Sequence, residues 1–187
     1  MNRFGVKLSD KPARICIDMD NVLADFNENF VKIYNRIYST SKTTQDISEW
    51  DLSKSFPGDT KGIYKRRGFY LDLKPEESAL TVVPRLIEKY DVYILSTGPR
   101  TAYAEKCDWL IKYFGNAFRK KFIFSKDKGV VLADFLLDDG IHNLDSFSNI
   151  GTPVCFNGPH NIREEIPYSR VNDFFEFEEF LNKNVYF

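Results

Sequence analysis

The stretch Ile15-Cys16-Ile17-Asp18-Met19-Asp20 constrains this chain more than any other. A short apolar run reads as a buried strand, and here it stops abruptly in two carboxylates one residue apart. Acids at the carboxyl edge of a sheet sit where open α/β folds bind ligands. Two acids this close repel each other, and a divalent cation is the simplest compensation. An Asp-rich turn would look the same in isolation, because Asp favours turns and helix starts.

Beyond this strand, Val22, Phe26, Phe30, Ile33 and Ile37 recur at helical spacing, which predicts a helix to about Tyr38. Asp46 and Glu49 stand in capping-box register for a short helix through Trp50, and Asp59 or Thr60 can cap another. Little strand signal appears between about residues 25 and 78. The pattern changes after Pro75: Leu80, Val83, Leu86, Ile87 and Tyr90 fit a helix that Pro84 either kinks or starts. A strand over residues 91–96 follows, then a helix over 101–114 with Tyr103, Cys107, Leu110, Ile111 and Phe114 as its apolar stripe and Gly115 as its stop. Further strands are expected at 122–125, 135–137 and 153–156, a short helix at 130–133, and a last helix from Asp173. Strands alternating with helices imply parallel βαβ units. The expected fold is therefore α/β, with a parallel sheet flanked by helices as a core (1–24 and 79–187). A small helical cap (25–78) would be inserted after the first strand.

At 187 residues and a net charge of −1, the chain has no global electrostatic reason to bind a nucleic acid polymer or a membrane surface. Its three cysteines lie far apart without C-x-x-C spacing, in apolar runs or on a helix face, which suggests reduced thiols. Met1 to Pro12 is polar and lacks a signal-type apolar stretch, so a cytoplasmic location is expected. Oligomeric state is open, a homodimer included.

The residues that end the strands form an inventory: Asp18 and Asp20, Ser96-Thr97, Lys126 and Lys128, Asp138-Asp139. A parallel sheet gathers these ends on one edge, with acids for a cation, hydroxyls for an anion and an ammonium for charge balance. This suits phosphoryl transfer, where positioning and charge neutralisation do most of the catalysis. Mg²⁺ prefers oxygen ligands and bridges carboxylates to phosphate. Asp18 would attack phosphorus, while Asp20 would protonate the leaving oxygen and then deprotonate water.

On Asp18-Met19-Asp20-Asn21-Val22, Ser96, Lys128 and Asp138-Asp139 the chain resembles the haloacid dehalogenase (HAD) superfamily of phosphohydrolases. Asp18 through Phe26, Asp127-Lys128-x-Val-Val and Leu-Leu-Asp-Asp139 look more closely like its 5′(3′)-deoxyribonucleotidase family. Tyr113-Phe114-Gly115 and the position of the cap extend that likeness. The resemblance implies Asp18 as nucleophile and metal ligand, Asp20 as general acid/base that also offers its backbone carbonyl to Mg²⁺, and Asp139 with Asp138 as metal carboxylates. It implies Ser96 and Thr97 at the phosphate and Lys128 as charge stabiliser. It also implies that Phe26 and cap aromatics (Trp50, Phe69 and Tyr70) contact a base. Asn21 replaces the usual Gly, and Asn tolerates positive φ. Gly140 stands where the nearest relatives place an Arg, which bears on substrate preference.

The expected substrate is a small phosphomonoester, first among them a nucleoside monophosphate; a sugar phosphate fits the same mechanism. A phosphoacceptor signalling module shares the residue types, but its phosphorylated Asp ends a middle strand, where this chain has Ser96. Phe26, Trp50, Phe69 and Tyr70 each have a purely packing alternative. Arg66 and Arg67 read as solvent-facing, His142 and His160 as ordinary loop histidines, and Asp145 either holds Lys128 or lies in a helix.

Overall fold

The computed structural model describes residues 12–185. The polar start falls mostly on residues 1–11, outside the described residues. Six parallel strands form a single sheet in the order β3-β2-β1-β4-β5-β6: β1 Arg14–Ile17, β2 Asp91–Ser96, β3 Phe122–Phe124, β4 Phe135–Asp138, β5 Thr152–Phe156 and β6 Ser169–Val171. Strand β1 pairs with β2 on one side and β4 on the other, so its carboxyl end lies between theirs.

Side chains alternate across the sheet as the strand period requires. Ile15, Ile17, Val92, Ile94, Leu137 and Val154 face the larger core, built with helices α1 (Phe26–Tyr38), α3 (Glu77–Lys89), α4 (Ala102–Phe114) and α6 (Phe174–Asn184). Cys16, Leu95, Leu136 and Cys155 face the opposite side, which α5 (Ile141–Phe147) covers through Leu144 and Phe147. Among the described residues no helix is long and apolar enough to cross a membrane.

Local differences from the sequence reading have local causes. The capping box is Thr43 with Asp46 on a single 3-10 turn, Thr44–Asp46, and residues 47–51 form no helix through Trp50. A 3-10 turn, Lys128–Val130, replaces the helix expected at 130–133. Strand β6 was not expected, because three residues, Ser-Arg-Val, are too few to show a period, and α5, which begins at a glycine with no side-chain cap, was anticipated only as one alternative for Asp145. Helix α4 is rotated relative to the expected stripe. Its buried positions are Ala102, Glu105, Lys106, Trp109 and Leu110, whereas Tyr103 and Ile111 are exposed. Two charged residues on the inward face disguised it.

Residues 25–75 leave the sheet and return at one crossing. Asp25 N–H donates to Lys74 O, Glu76 N–H donates to Leu23 O, and Ala24 bridges Pro75. In between lie α1, the 3-10 turns Thr44–Asp46 and Leu52–Lys54, and α2 (Thr60–Tyr64), whose N-cap Asp59 accepts from Gly62 N–H.

Candidate active site

Asp18 follows β1 directly, its N–H bonded to Leu137 O. The chain then folds over itself: Leu23 and Ala24 N–H donate to Met19 O, and Asn21 adopts φ 57°. Asn21 Oδ1 accepts from Asn27 N–H, which caps an otherwise unpaired donor in the first turn of α1. The residue expected to tolerate positive φ thus also stabilises the helix behind the site.

Lys128 is buried on its 3-10 turn and holds two carboxylates. Its Nζ donates to Asp18 Oδ1 at 2.6 Å and to Asp138 Oδ2. Burial works against its charge, but Asp138 and Asp18 outweigh burial and raise its pKa. Asp138 ends β4, and its Oδ1 accepts from Gly140 N–H (2.8 Å) and Asn143 Nδ2 (3.0 Å). Burial pushes its carboxyl upward, against the pull of Lys128.

Asp139 is different. Both carboxylate oxygens are buried and, among the described residues, have no hydrogen bond of ordinary geometry, with the Asn21 side chain as a weak neighbour; its carbonyl accepts from Asn161 Nδ2 at 2.8 Å. His160 Nε2 stands 3.3 Å from Oδ2. Burial, then the charges of Asp138 and Asp18, push the Asp139 carboxyl well above its ordinary range. Oxygen atoms of Asp18, Asp138 and Asp139 lie within 4.8 Å of one another. An unpaired buried carboxylate beside two others lacks a positive partner, and an all-oxygen donor set fits a hard cation such as Mg²⁺.

Across the edge, Ser96 is wholly buried at the end of β2 and Thr97 is partly exposed. Both meet a residue that the sequence reading did not select, Lys106. Its Nζ donates to Asp20 Oδ2 (2.7 Å), Ser96 Oγ (2.9 Å) and Thr97 O (2.7 Å). Burial raises the Asp20 carboxyl, with Lys106 opposing. The preceding residue, Glu105, accepts from Gly68 N–H (2.6 Å) and Tyr70 N–H (3.2 Å), which ties α4 to the inserted segment.

A cavity of about 750 Å³ lies above these groups, lined by Asp18, Asp20, Ser96, Thr97, Lys126 and Lys128 below and by Phe26, Trp50, Tyr64 and Tyr70 from the insertion. Phe69 does not line it. That ring is buried behind Phe26 (centroids 5.0 Å apart), so its expected contact with a base is corrected to a packing role. The reading of the histidines as ordinary loop residues is also corrected. His142 and His160 line the cavity, and the Trp50 ring packs edge-on to both, at 4.8 and 5.2 Å. Burial lowers the His160 pKa, which favours the neutral ring. Trp50 also fills the space beside Gly140, where an added Cβ would meet the indole at 3.0 Å. Asp145 lies in α5 and accepts from Tyr168 Oη at 2.6 Å. Arg66 and Arg67 are exposed outside the cavity.

Signals for the missed residues were faint. Lys106 lies four residues before Leu110 on the buried stripe, a position where a lysine needs a partner. His160 and Asn161 follow a strand end, the rule that selected the other groups, but after β5.

Residues 11–185 match the model of the family described as 5′ nucleotidase, deoxy (Pyrimidine), cytosolic type C protein. A 5′(3′)-deoxyribonucleotidase of Bacillus subtilis (strain 168) is 33% identical over 171 residues, covering 89% of this chain and 97% of the relative. Among solved structures, a HAD-hydrolase of Bacillus subtilis bound to magnesium has a TM-score of 0.62 at 14% identity, covering 92% of this chain and 99% of that one. A haloacid dehalogenase-like family protein of Streptococcus pneumoniae has a TM-score of 0.62 at 11% identity, covering 90% and 98%. These structural likenesses concern the fold, whereas the sequence match spans nearly the whole chain. The chain therefore belongs to the cytosolic type C 5′-nucleotidase family, phosphoric monoester hydrolases on the haloacid dehalogenase fold.

Proposed function

We propose that this chain hydrolyses nucleoside monophosphates, deoxyribonucleotides foremost, through a phosphoryl group carried on Asp18. The observation that carries the reading is the unpaired, buried carboxylate of Asp139 beside Asp18, beneath an aromatic-walled cavity. Asp18, Asp139 and the carbonyl of Asp20 would hold Mg²⁺, with Asp138 anchoring them through Lys128. When bound, the ion neutralises phosphate charge and draws its oxygens into line.

Lys128 occupies one oxygen of Asp18, which leaves the other oxygen to attack phosphorus. The bond from phosphorus to the ester oxygen breaks as that of Asp18 forms, and Asp20 gives its proton to the departing oxygen. Asp20 then takes a proton from water, whose oxygen displaces Asp18 and releases inorganic phosphate. Ser96 and Thr97 bind the phosphate oxygens. Phe26, Tyr70 and Trp50 supply flat apolar surface for a base. The cavity suits a compact substrate.

The test is a phosphate-release panel of 5′- and 3′-nucleotides, ribo and deoxy, against sugar phosphates, with Mg²⁺. The expected result is kcat/KM at least about tenfold higher for a deoxyribonucleotide than for any sugar phosphate. Equal rates across the panel would remove the nucleotide assignment and leave a general phosphatase.

A further inference from the structure

We propose that Lys106 is a positioning residue for the reaction, orienting both the carboxylate of Asp20 and the hydroxyl of Ser96. The inference rests on the reading of Asp20 as acid and base. A lysine ammonium has three hydrogens, and here all three are used inside the protein, by Asp20 Oδ2, Ser96 Oγ and Thr97 O. The side chain is wholly buried beneath the Tyr70 ring, 4.9 Å from its centroid. Lys106 therefore has no donor left for substrate, unlike a phosphate clamp, and acts through the groups it holds.

Two consequences follow from donor geometry. Among the described residues Lys106 is the one hydrogen-bond donor to the Asp20 side chain, because Asp20 Oδ1 is buried without a partner. Without the ammonium, the carboxylate would be free to rotate about its side-chain torsions. Ser96 Oγ already accepts from Lys106, and among the described residues its own proton finds only Thr97 O, at 3.5 Å. That contact is at the limit of a hydrogen bond, and the same carbonyl already takes Lys106. The hydroxyl proton is thereby kept available for a phosphate oxygen. Methionine at position 106 would fill nearly the same volume but would leave the Asp20 carboxylate and the Ser96 hydroxyl without the donor that holds them.

The test is a double-mutant cycle on the full chain, with steady-state kinetics on the best nucleotide found. Lys106→Met is expected to lower kcat about 100-fold, with KM changing much less. Asp20→Asn combined with Lys106→Met should lose clearly less than the product of the two single losses, the remainder being the share that Lys106 exerts through Ser96. Losses that multiply in the double variant, or a Lys106→Met enzyme within about threefold of the parent, overturn the proposal. An Asp20→Asn variant with full activity overturns the acid–base reading as well, which separates the two failures.

If Lys106→Met does not fold, NMR of the lysine ammonium in the parent and in Asp20→Asn answers the question. A Lys106 signal that is protected from exchange in the parent and broadened or lost in the variant supports the assignment. The same signal in both overturns it.

Discussion

The sheet edge and the inserted segment form two walls of one cavity and are built on opposite plans. At the edge, charged groups from distant parts of the chain are buried and paired: Lys128 with Asp18 and Asp138, Lys106 with Asp20. The opposite wall is aromatic, and its polar caps are short-range and exposed, as at Thr43–Asp46, Asp51–Ser53 and Asp59–Gly62. Among the described residues few polar side-chain bonds tie it to the body: Glu105 to Gly68 and Tyr70, Trp109 Nε1 to Leu73 O, and Thr101 Oγ1 to Lys65 O. A buried charge network tolerates no displacement, since an uncompensated ion is costly, whereas an aromatic surface accepts variation in what it covers. The proposed function places the chemistry on the first wall and selectivity on the second.

The comparison breaks most readily at Asp18. Asp18→Asn should cost on the order of 10⁴-fold in kcat or more, read by phosphate release, with the fold intact by circular dichroism. A variant retaining a tenth of parental activity would move the chemistry elsewhere. Phe69→Ala probes the aromatic wall where it is packing and not surface. It should lower unfolding free energy by about 3–5 kcal/mol in urea titration, because the ring is buried against Phe26 and Tyr70.

Asp139→Asn separates stability from binding. With a buried, unpartnered carboxylate made neutral, the metal-free protein should gain about 1–3 kcal/mol. Mg²⁺ is expected to raise the Tm of the parent and not that of the variant, and scanning calorimetry with and without the ion reads both effects. Trp50→Ala, a half-exposed indole, should raise KM about tenfold and leave kcat within about twofold. An equal fall in kcat would place that ring in the chemistry.

The smallest effect concerns the crossing between the walls. Burial, then Glu28 and Glu76, push the Asp25 carboxyl from 3.8 to about 6. The folded protein therefore holds this proton more tightly than the unfolded chain, and stability falls as pH rises from about 4 to about 6. Asp25→Asn should remove that loss. The variant should be more stable at pH 7 by about 1 kcal/mol, allowing for the group's partial exposure, and equal to the parent near pH 3.

What was readable in the chain followed from periodicity and from strand ends. Buried parallel strands appear as apolar runs, so β1, β2, β4 and β5 were plain, while β6, with Ser, Arg and Val, carried no such mark. Asp18, Asp20, Ser96, Lys128, Asp138 and Asp139 are legible as strand-end residues, and the fold brings them to one edge. Helix α4 was legible as a helix, but its inward face was not. Glu105 and Lys106 interrupt the apolar stripe for reasons that lie in the insertion and at the strand ends, far away in sequence. Trp50 reads the same from the chain whether it packs or lines a cavity, and only its approach to His142 and His160 distinguishes the two.

The sequence by itself determined the parallel α/β core and the family, because strand burial and an acid pair at a strand end are local properties. Tertiary structure decided the partners: which ammonium holds which carboxylate, which aspartate is left without a donor, and which aromatic rings face the cavity. Those choices depend on distances between residues as far apart as Asp18 and Lys128, and hydrogen bonds and buried charges are sensitive to ångströms, whereas a hydrophobic pattern is not.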